Sequence, residues 1–257
     1  MRAIIVAAAL AALTAPAYCA VVVDTGGFEG YALGALAGQN GWTQVNAFGS
    51  VDRPVDIAIG PGGSKVMAFD CTNAAGEPNT EGSVQTSFAN LTGVDRYARV
   101  TYDLYRDGDG IYNNLWWWPV GSNNWYGLQW DNGASQPAKI LPFGFGAPDT
   151  PMLQKQWVNI DLTFDLVAGT EDAYINGTLL AANVNVGTGE FAGWFLGDSC
   201  TVDPARTPNG KGQKAYVDNL RILAGNTRGD LQPVPEPSSL ALLAGGLLPL
   251  LGLRRRK

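Results

Sequence analysis

Between Val21 and Leu223 the chain runs in short apolar–polar alternations broken by Gly, Asn, Asp and Pro. In Arg99-Val100-Thr101-Tyr102-Asp103-Leu104, the residues Val100, Tyr102 and Leu104 fall on one side and Arg99, Thr101 and Asp103 on the other. Val158 to Asp165 repeats the pattern over eight residues. A period of two is what a half-buried antiparallel strand requires, because successive side chains leave opposite faces of the sheet. Ala173-Tyr174-Ile175 and Thr178-Leu179-Leu180 flank Asn176-Gly177, which predicts a hairpin with a type I′ turn. Lys214 to Leu223 predicts a last strand, with Tyr216, Asp218 and Leu220 opposite Val217, Asn219 and Arg221. Phe28-Glu29 and Val217–Leu220 carry matching alternation and are expected to pair, hiding an edge that an isolated strand would expose. No internal repeat and no long helical period precede the tail. The expectation is an all-β sandwich of two antiparallel sheets over residues 21–224.

The two ends have other patterns. Met1-Arg2, an apolar run from Ala3 to Leu13 and the small-residue exit Ala15-Pro16-Ala17-Tyr18-Cys19-Ala20 fit a secretory signal helix over residues 1–20, too short to span a membrane. The cut is open: Ala15-Pro16-Ala17 fits the small-x-small rule, whereas cutting after Ala20 puts Tyr18 at the third position before the bond. Residues 225–233 read as a polar linker. Then come Pro235-Glu236-Pro237, an apolar stretch from Leu240 to Leu253 and Arg254-Arg255-Arg256-Lys257. The prolines hold an extended peptide, the apolar stretch makes a short hydrophobic helix, and the cations resist translocation. Residues 234–257 in this order resemble the PEP-CTERM sorting signal of exosortase substrates. The resemblance implies a Gram-negative host, transient anchoring in the inner membrane, cleavage near Pro235-Glu236-Pro237 and release to the cell surface or an extracellular matrix. The translocon, signal peptidase and exosortase are the implied processing partners.

Processing alters the charge. Removing Arg2, Arg254, Arg255, Arg256 and Lys257 from the 17 basic residues leaves 12, and removing Glu236 from the 23 acidic ones leaves 22, a net −10. Such a chain repels nucleic acid, which is excluded as a partner. The absence of histidine removes His-based metal sites, Ser-His triads and Cys-His dyads. In an exported chain Cys71 and Cys200 are expected to form a disulfide; Cys19 leaves with the signal peptide or remains as a third thiol, depending on the cut.

Gln156-Trp157-Val158 through Phe164-Asp165, followed by Tyr174-Ile175-Asn176-Gly177-Thr178-Leu179-Leu180, resembles a hairpin of laminin-G-like, concanavalin A-like domains. Phe28-Glu29-Gly30-Tyr31 with Gly38-Gln39-Asn40-Gly41-Trp42 is similar to the opening of bacterial members, and Ala215 to Arg221 to their closing strand. The resemblance implies a concanavalin A-like jelly roll.

The densest unusual composition lies at Trp116-Trp117-Trp118, Asn123-Asn124-Trp125-Tyr126 and Trp130. Exposed aromatics stack on sugar rings while amides bind hydroxyls, so these eight residues are the candidate glycan-binding set. The alternative is that the rings fill the core. Trp117 faces away from Trp116 and Trp118 if the segment is a strand. Asp107-Gly108-Asp109-Gly110 offers hard oxygens, so Asp107 and Asp109 are candidate calcium ligands, against the plainer reading of an Asp-Gly turn. Glycoside hydrolases of the resembled fold carry an E-x-D-x-E or E-x-D-x-x-E pattern, because a retaining mechanism needs two carboxyls about 5 Å apart. No such pattern occurs. Asp161 and Asp165 stand four residues apart, and Glu171-Asp172 are adjacent. No catalytic residue is assigned. The expected activity is non-catalytic contact with extracellular polysaccharide. The alternatives are a structural matrix component without a specific ligand, and a carbohydrate-active hydrolase or lyase.

Overall fold

The computed structural model describes residues 19–45, 51–52, 54–70, 80–107, 113–119, 128–131, 139–142, 150–151, 155–200 and 214–231. For 51–52, 80–81, 113–118, 128–131, 139–142, 150–151, 198–200 and 230 the backbone alone is described. In chain order the strands are β1 (Ala20–Asp24), β2 (Gly34–Ala35), β3 (Trp42–Gln44), β4 (Val51–Asp52), β5 (Asp56–Ile59) and β6 (Lys65–Asp70). There follow β7 (Thr80–Ser87), β8 (Tyr97–Asp107), β9 (Asn113–Pro119), β10 (Leu128–Asp131), β11 (Lys139–Pro142) and β12 (Thr150–Pro151). The last five are β13 (Trp157–Asp165), β14 (Thr170–Ile175), β15 (Thr178–Asn185), β16 (Gly193–Cys200) and β17 (Lys214–Gly225). Two 3-10 turns, Gly26–Phe28 and Arg228–Leu231, are the helical elements among the described residues.

A nine-stranded sheet runs β15-β14-β13-β8-β17-β6-β5-β2, with β1 also paired to β17. A five-stranded sheet runs β3-β7-β16-β9, with β4 on β7, and β10-β11-β12 form a small third sheet. All pairings are antiparallel except β4 with β7. The two larger sheets pack face to face. Val100, Tyr102 and Leu104 of β8 and Ile160, Leu162 and Phe164 of β13 meet Trp42, Val84, Trp194 and Leu196 in one buried cluster. Phe164 packs edge-on against Trp194 at 6.0 Å between ring centroids and against Phe191 at 5.3 Å. These rings tie the large sheet to the β16 side. The all-β sandwich expected from the alternation is therefore present, and β8 alternates strictly in burial along its whole length.

The Asn176-Gly177 turn forms as its chemistry requires, with φ of 48° and 73° at the two central residues. Three local expectations are corrected. Phe28-Glu29 do not pair with the last strand: Ala20–Asp24 does, with Ala20 opposite Ala224 and Asp24 opposite Arg221. Phe28 lies instead in a 3-10 turn with φ of 58° and its ring fully buried. Burial of that ring wins over extension of the strand. The alternation of the last strand breaks at a bulge between Asp218 and Arg221, where Asn219 has φ of 52°. Tyr216 and Asp218 therefore face outward while Leu220 and Ile222 turn into the core, so Leu220 does not share their face. Finally, 225–231 is not a free stalk. Gly225 ends β17, Leu231 is buried against Cys19 and Leu223, and Arg99 Nη1 donates to Leu231 O at 3.0 Å. Cys19 and Ala20 likewise belong to the fold.

Among the described residues no helix is long and apolar enough to cross a membrane. Residues 1–18, the apolar stretch 240–253 and Cys71 lie outside the described residues, as do the Cys71–Cys200 pairing and the sorting residues Pro235, Glu236 and Pro237.

Candidate functional site

The triple tryptophan lies on β9, at the free side of β16 in the five-stranded sheet. Phe195 stands opposite Trp118, Leu196 opposite Trp117 and Gly197 opposite Trp116. Directly opposed residues of an antiparallel pair share a face. Leu196 and Trp194 belong to the inter-sheet core, so Trp117 has core parity. Trp116 and Trp118 have the parity of Gly197 and Phe195, a row in which Phe195 and Ser83 are themselves 1% exposed and, among the described side chains, Gln85 and Thr43 reach solvent. The same outer rows continue across β16 and β7: Phe195 stands opposite Gln85, Gln85 opposite Thr43, and Gly197 opposite Ser83. Gly197 is needed here, since a Cβ would lie 2.7 Å from the Phe195 ring and 3.0 Å from Ser83 Oγ. Trp130 falls on β10 of the third sheet, opposite Ile140. Asn123, Asn124, Trp125 and Tyr126 lie outside the described residues. The split of the three tryptophans between two faces is thus legible in the backbone register.

A second aromatic set, absent from the sequence-level candidates, crosses the outer face of the nine-stranded sheet. Trp157 of β13 stands opposite Tyr105 of β8, and Tyr105 opposite Tyr216 of β17. Their ring centroids are 5.3 and 6.0 Å apart, tilted by 57° and 59°. Trp157 and Tyr105 are half-buried, Tyr216 is 9% exposed, and the first two pack against the small cluster that Tyr216 forms with Val66 and Ala68. One residue pair along, Asp103 bridges two amides: Asn159 Nδ2 donates to its Oδ1 at 2.8 Å and Asn219 Nδ2 to its Oδ2 at 2.8 Å. The bulge at Asn219 makes this bar possible, because the left-handed backbone turns that amide to the sheet's outer face. On the other flank Lys214 pairs with Asp70 at 2.7 Å, and Asp107 stands opposite Lys214. Each strand's alternation was visible in the sequence. That these three rings share one row was not, because it depends on the register between β13, β8 and β17.

Asp107 is the exposed last residue of β8 and therefore sits at a strand end; Asp109 lies outside the described residues. Among the described residues no group of three or more His, Cys, Asp or Glu could hold a metal ion. Asp218 is held above the ordinary carboxylate value by burial, partly offset by donors from Asn219 N and Ser64 Oγ, while Asp103 and Glu29 push it further up.

Of the four carboxyls weighed for catalysis, Asp161, Asp165 and Asp172 have structural partners. Asp161 takes a two-pronged bond from Arg99, at 2.9 and 2.8 Å. Asp165 accepts from Val167 N, Ala168 N and Arg96. Burial pulls its carboxyl up, but those donors outweigh burial and leave it below the usual value. Glu171 and Asp172 take opposite faces of β14. Glu171 is buried in the core with its pKa pushed up to about 8, first by burial and then by Asp172. Asp172 faces outward and binds Arg228 and Asn183 N. A groove of about 420 Å³ opens beside β1, β3 and β7, lined by Thr25, Tyr31, Asn40 and Phe88, and by Asp24, which accepts from Gly26 N.

Residues 233–257 match the family model described as the PEP-CTERM protein-sorting motif. The chain carries a PEP-CTERM sorting motif. This motif implies an exported protein whose C-terminal anchor is processed by exosortase. No curated protein matches the chain. Among solved structures it is similar to SCLam, a non-specific endo-β-1,3(4)-glucanase of family GH16, at 13% identity over 82% of this chain and 93% of that one, with a TM-score of 0.52. A mutant of that enzyme co-crystallised with 1,3-β-D-cellobiosyl-cellobiose matches at 16% identity over 81% and 95%, with a TM-score of 0.50. A sialidase matches at 11% identity and a TM-score of 0.47; the PEP-CTERM chain spans 19% of its length, with 82% of its own covered. The glucanase likeness shows the fold alone, an all-β, jelly-roll-like sandwich of two antiparallel sheets.

Proposed function

We propose that this PEP-CTERM protein, once exported and trimmed by exosortase, contacts extracellular polysaccharide without cleaving it, through the outer face of the five-stranded sheet. The observation that supports the reading is the register of β9 on β16, which gives Trp116 and Trp118 the parity away from the inter-sheet core and Trp117 the core parity. Phe195 beside Trp118 is buried, and the row opens to solvent toward Gln85 and Thr43. Two large rings in a row with Gln85 and Thr43 suit a sugar chain: ring faces take its C–H surfaces and the amide and hydroxyl take its hydroxyls. The sorting motif supports export, and delivery to the cell surface or matrix would bring the domain to such polymers.

Affinity electrophoresis of the mature protein tests this, in gels containing the host's exopolysaccharide or soluble β-1,3(4)-glucan. Retardation is expected, weakened about tenfold or more by Trp118→Ala with the melting temperature retained. Trp117→Ala is expected to lower the melting temperature instead, as a large core truncation does. Unchanged mobility in both gels and across a broad polysaccharide panel would leave a structural matrix component without a ligand. Release of reducing or unsaturated sugar ends from the polymer would replace binding by hydrolase or lyase activity.

A further inference from the structure

We propose that the outer face of the nine-stranded sheet is a second glycan-contact surface, so that one domain bridges two chains of an uncharged polysaccharide. This rests on the polysaccharide reading above and extends it from one face of the sandwich to both.

The surface is built by register. Trp157, Tyr105 and Tyr216 occupy one row across three adjacent strands, and their sequence neighbours Val158, Leu104 and Val217 fill the core on the other side. The inter-sheet core therefore does not use these rings; Tyr216 is 9% exposed within a small cluster with Val66 and Ala68, so the accessible part of the row is Tyr105 and Trp157. The row is bounded on one flank by the Asn159–Asp103–Asn219 bar and on the other by Asp107 and the Lys214–Asp70 pair. Because Asp103 already fixes one N–H of each amide, Asn159 and Asn219 are held in place, each with a second N–H and a carbonyl for a hydroxyl. Rings flanked on both sides by fixed polar groups match a pyranose chain, apolar across its C–H faces and hydroxylated along both edges.

Charge selects among polymers. Asp103, Asp107, Asp218 and Asp70 lie around the row against Lys214, and Glu29 adds to the field at Asp218. An anionic chain is repelled there, whereas neutral hydroxyls find acceptors. The two outer faces of a sandwich are back to back, separated by sheets packed about 10 Å apart. One straight chain cannot lie on both. Occupation of both faces joins two chains, and a protein that joins chains in pairs makes a network rather than a coat.

The full mature protein and soluble β-1,3(4)-glucan are the reagents, with alginate as the anionic comparison. Gel retardation reads binding, and light scattering of dilute glucan reads bridging. Wild type is expected to retard and to raise scattering, then to lose scattering at large protein excess as each chain is coated separately. Trp157→Ala is expected to keep retardation within about threefold and to cut the scattering increase about tenfold or more. Because Trp157 packs on Tyr105, Asn159→Ala serves as a second, exposed variant and is expected to act in the same direction with an unchanged melting temperature. Alginate should give neither signal. Wild-type retardation without scattering, or scattering unchanged in both variants, overturns the second surface and leaves the single-face reading intact. Retardation abolished by Trp157→Ala but untouched by Trp118→Ala overturns the two-surface arrangement and moves the one contact to this face. Absence of retardation on every polymer removes both readings together.

Discussion

Glu171 shows how a single core position sets a pH response. It lies on β14 directly opposite Phe164 and is 2% exposed, with the Tyr102 phenol within its electrostatic reach. Burial favours the neutral acid, and its pKa rises from 4.5 to about 8. The folded state therefore binds a proton that the unfolded chain releases near its ordinary value. The stability linked to this group is fully present below about pH 4.5 and is lost as pH rises through about 8, a change on the order of a few kcal/mol. Asp165 acts in the opposite sense. Its pKa is held down, so its contribution is present above the ordinary carboxylate range and is lost on acidification. A melting profile of the domain is expected to fall between about pH 5 and about pH 8 and to level off above. Glu171→Gln keeps the shape and removes the proton, and should flatten that fall; an unchanged slope in this variant would assign the pH response to another group.

At the scale of elements, the docked C-terminal segment is the part that composition concealed. Gly225 to Leu231 is polar enough to read as a linker, yet Leu231 is 2% exposed, Arg228 reaches Asp172 and Arg96 and Arg228 lie over the Tyr97 ring. One leucine in a polar run is no signal by itself. It becomes one when β1 and β17 leave an apolar hollow between Cys19, Leu223 and Tyr97. Leu231→Ala should therefore cost about 2 kcal/mol, a drop of several degrees in the melting temperature, whereas the same change in a free stalk would cost nothing. The strands themselves were legible because burial on one face imposes a period of two, as in β8 and β13. The Asn176-Gly177 turn was legible because few dipeptides tolerate positive φ twice in succession. The bulge at Asn219 was not, since Asn inside an alternating strand reads as another outward polar residue. The Trp157–Tyr105–Tyr216 row was not legible either, because alternation fixes a face without fixing the register between strands. The tryptophans of β9 were visible as an anomaly of composition, but their division between core and outer parity needed Leu196 and Phe195 beside them.

Across the whole molecule, both ends of the domain meet at one pole. Cys19 packs against Leu231, and Ala20 pairs with Ala224. The sorting motif begins at residue 233, two residues beyond the buried Leu231, so Pro235 is at most about 14 Å from the fold even in a fully extended chain. An anchor of the kind the sorting motif implies would hold this pole close to the membrane before exosortase acts. The row at Tyr105 lies eight residues along β8 from Tyr97 at that pole, about 26 Å away at the usual rise. The proposed glycan surface thus stands clear of the anchor, and polymer could be engaged before release. The same geometry bears on the other end. Cutting the leader after Ala20 would discard Cys19 and the first ladder residue, opening the hollow that Leu231 fills. Cutting after Ala17, where Ala15 and Ala17 satisfy the small-x-small rule, keeps Cys19 against Leu231 and Ala20 opposite Ala224. N-terminal sequencing or intact-mass measurement of the secreted protein is expected to give Tyr18 as the first residue. A chain made to begin at Val21 should melt several degrees lower than one beginning at Tyr18, through loss of the Ala20–Ala224 pairing and the Cys19 packing. A native N-terminus at Ala20 or Val21, with no stability gained by restoring the missing residues, would show that the leader only rests where the mature fold leaves a gap.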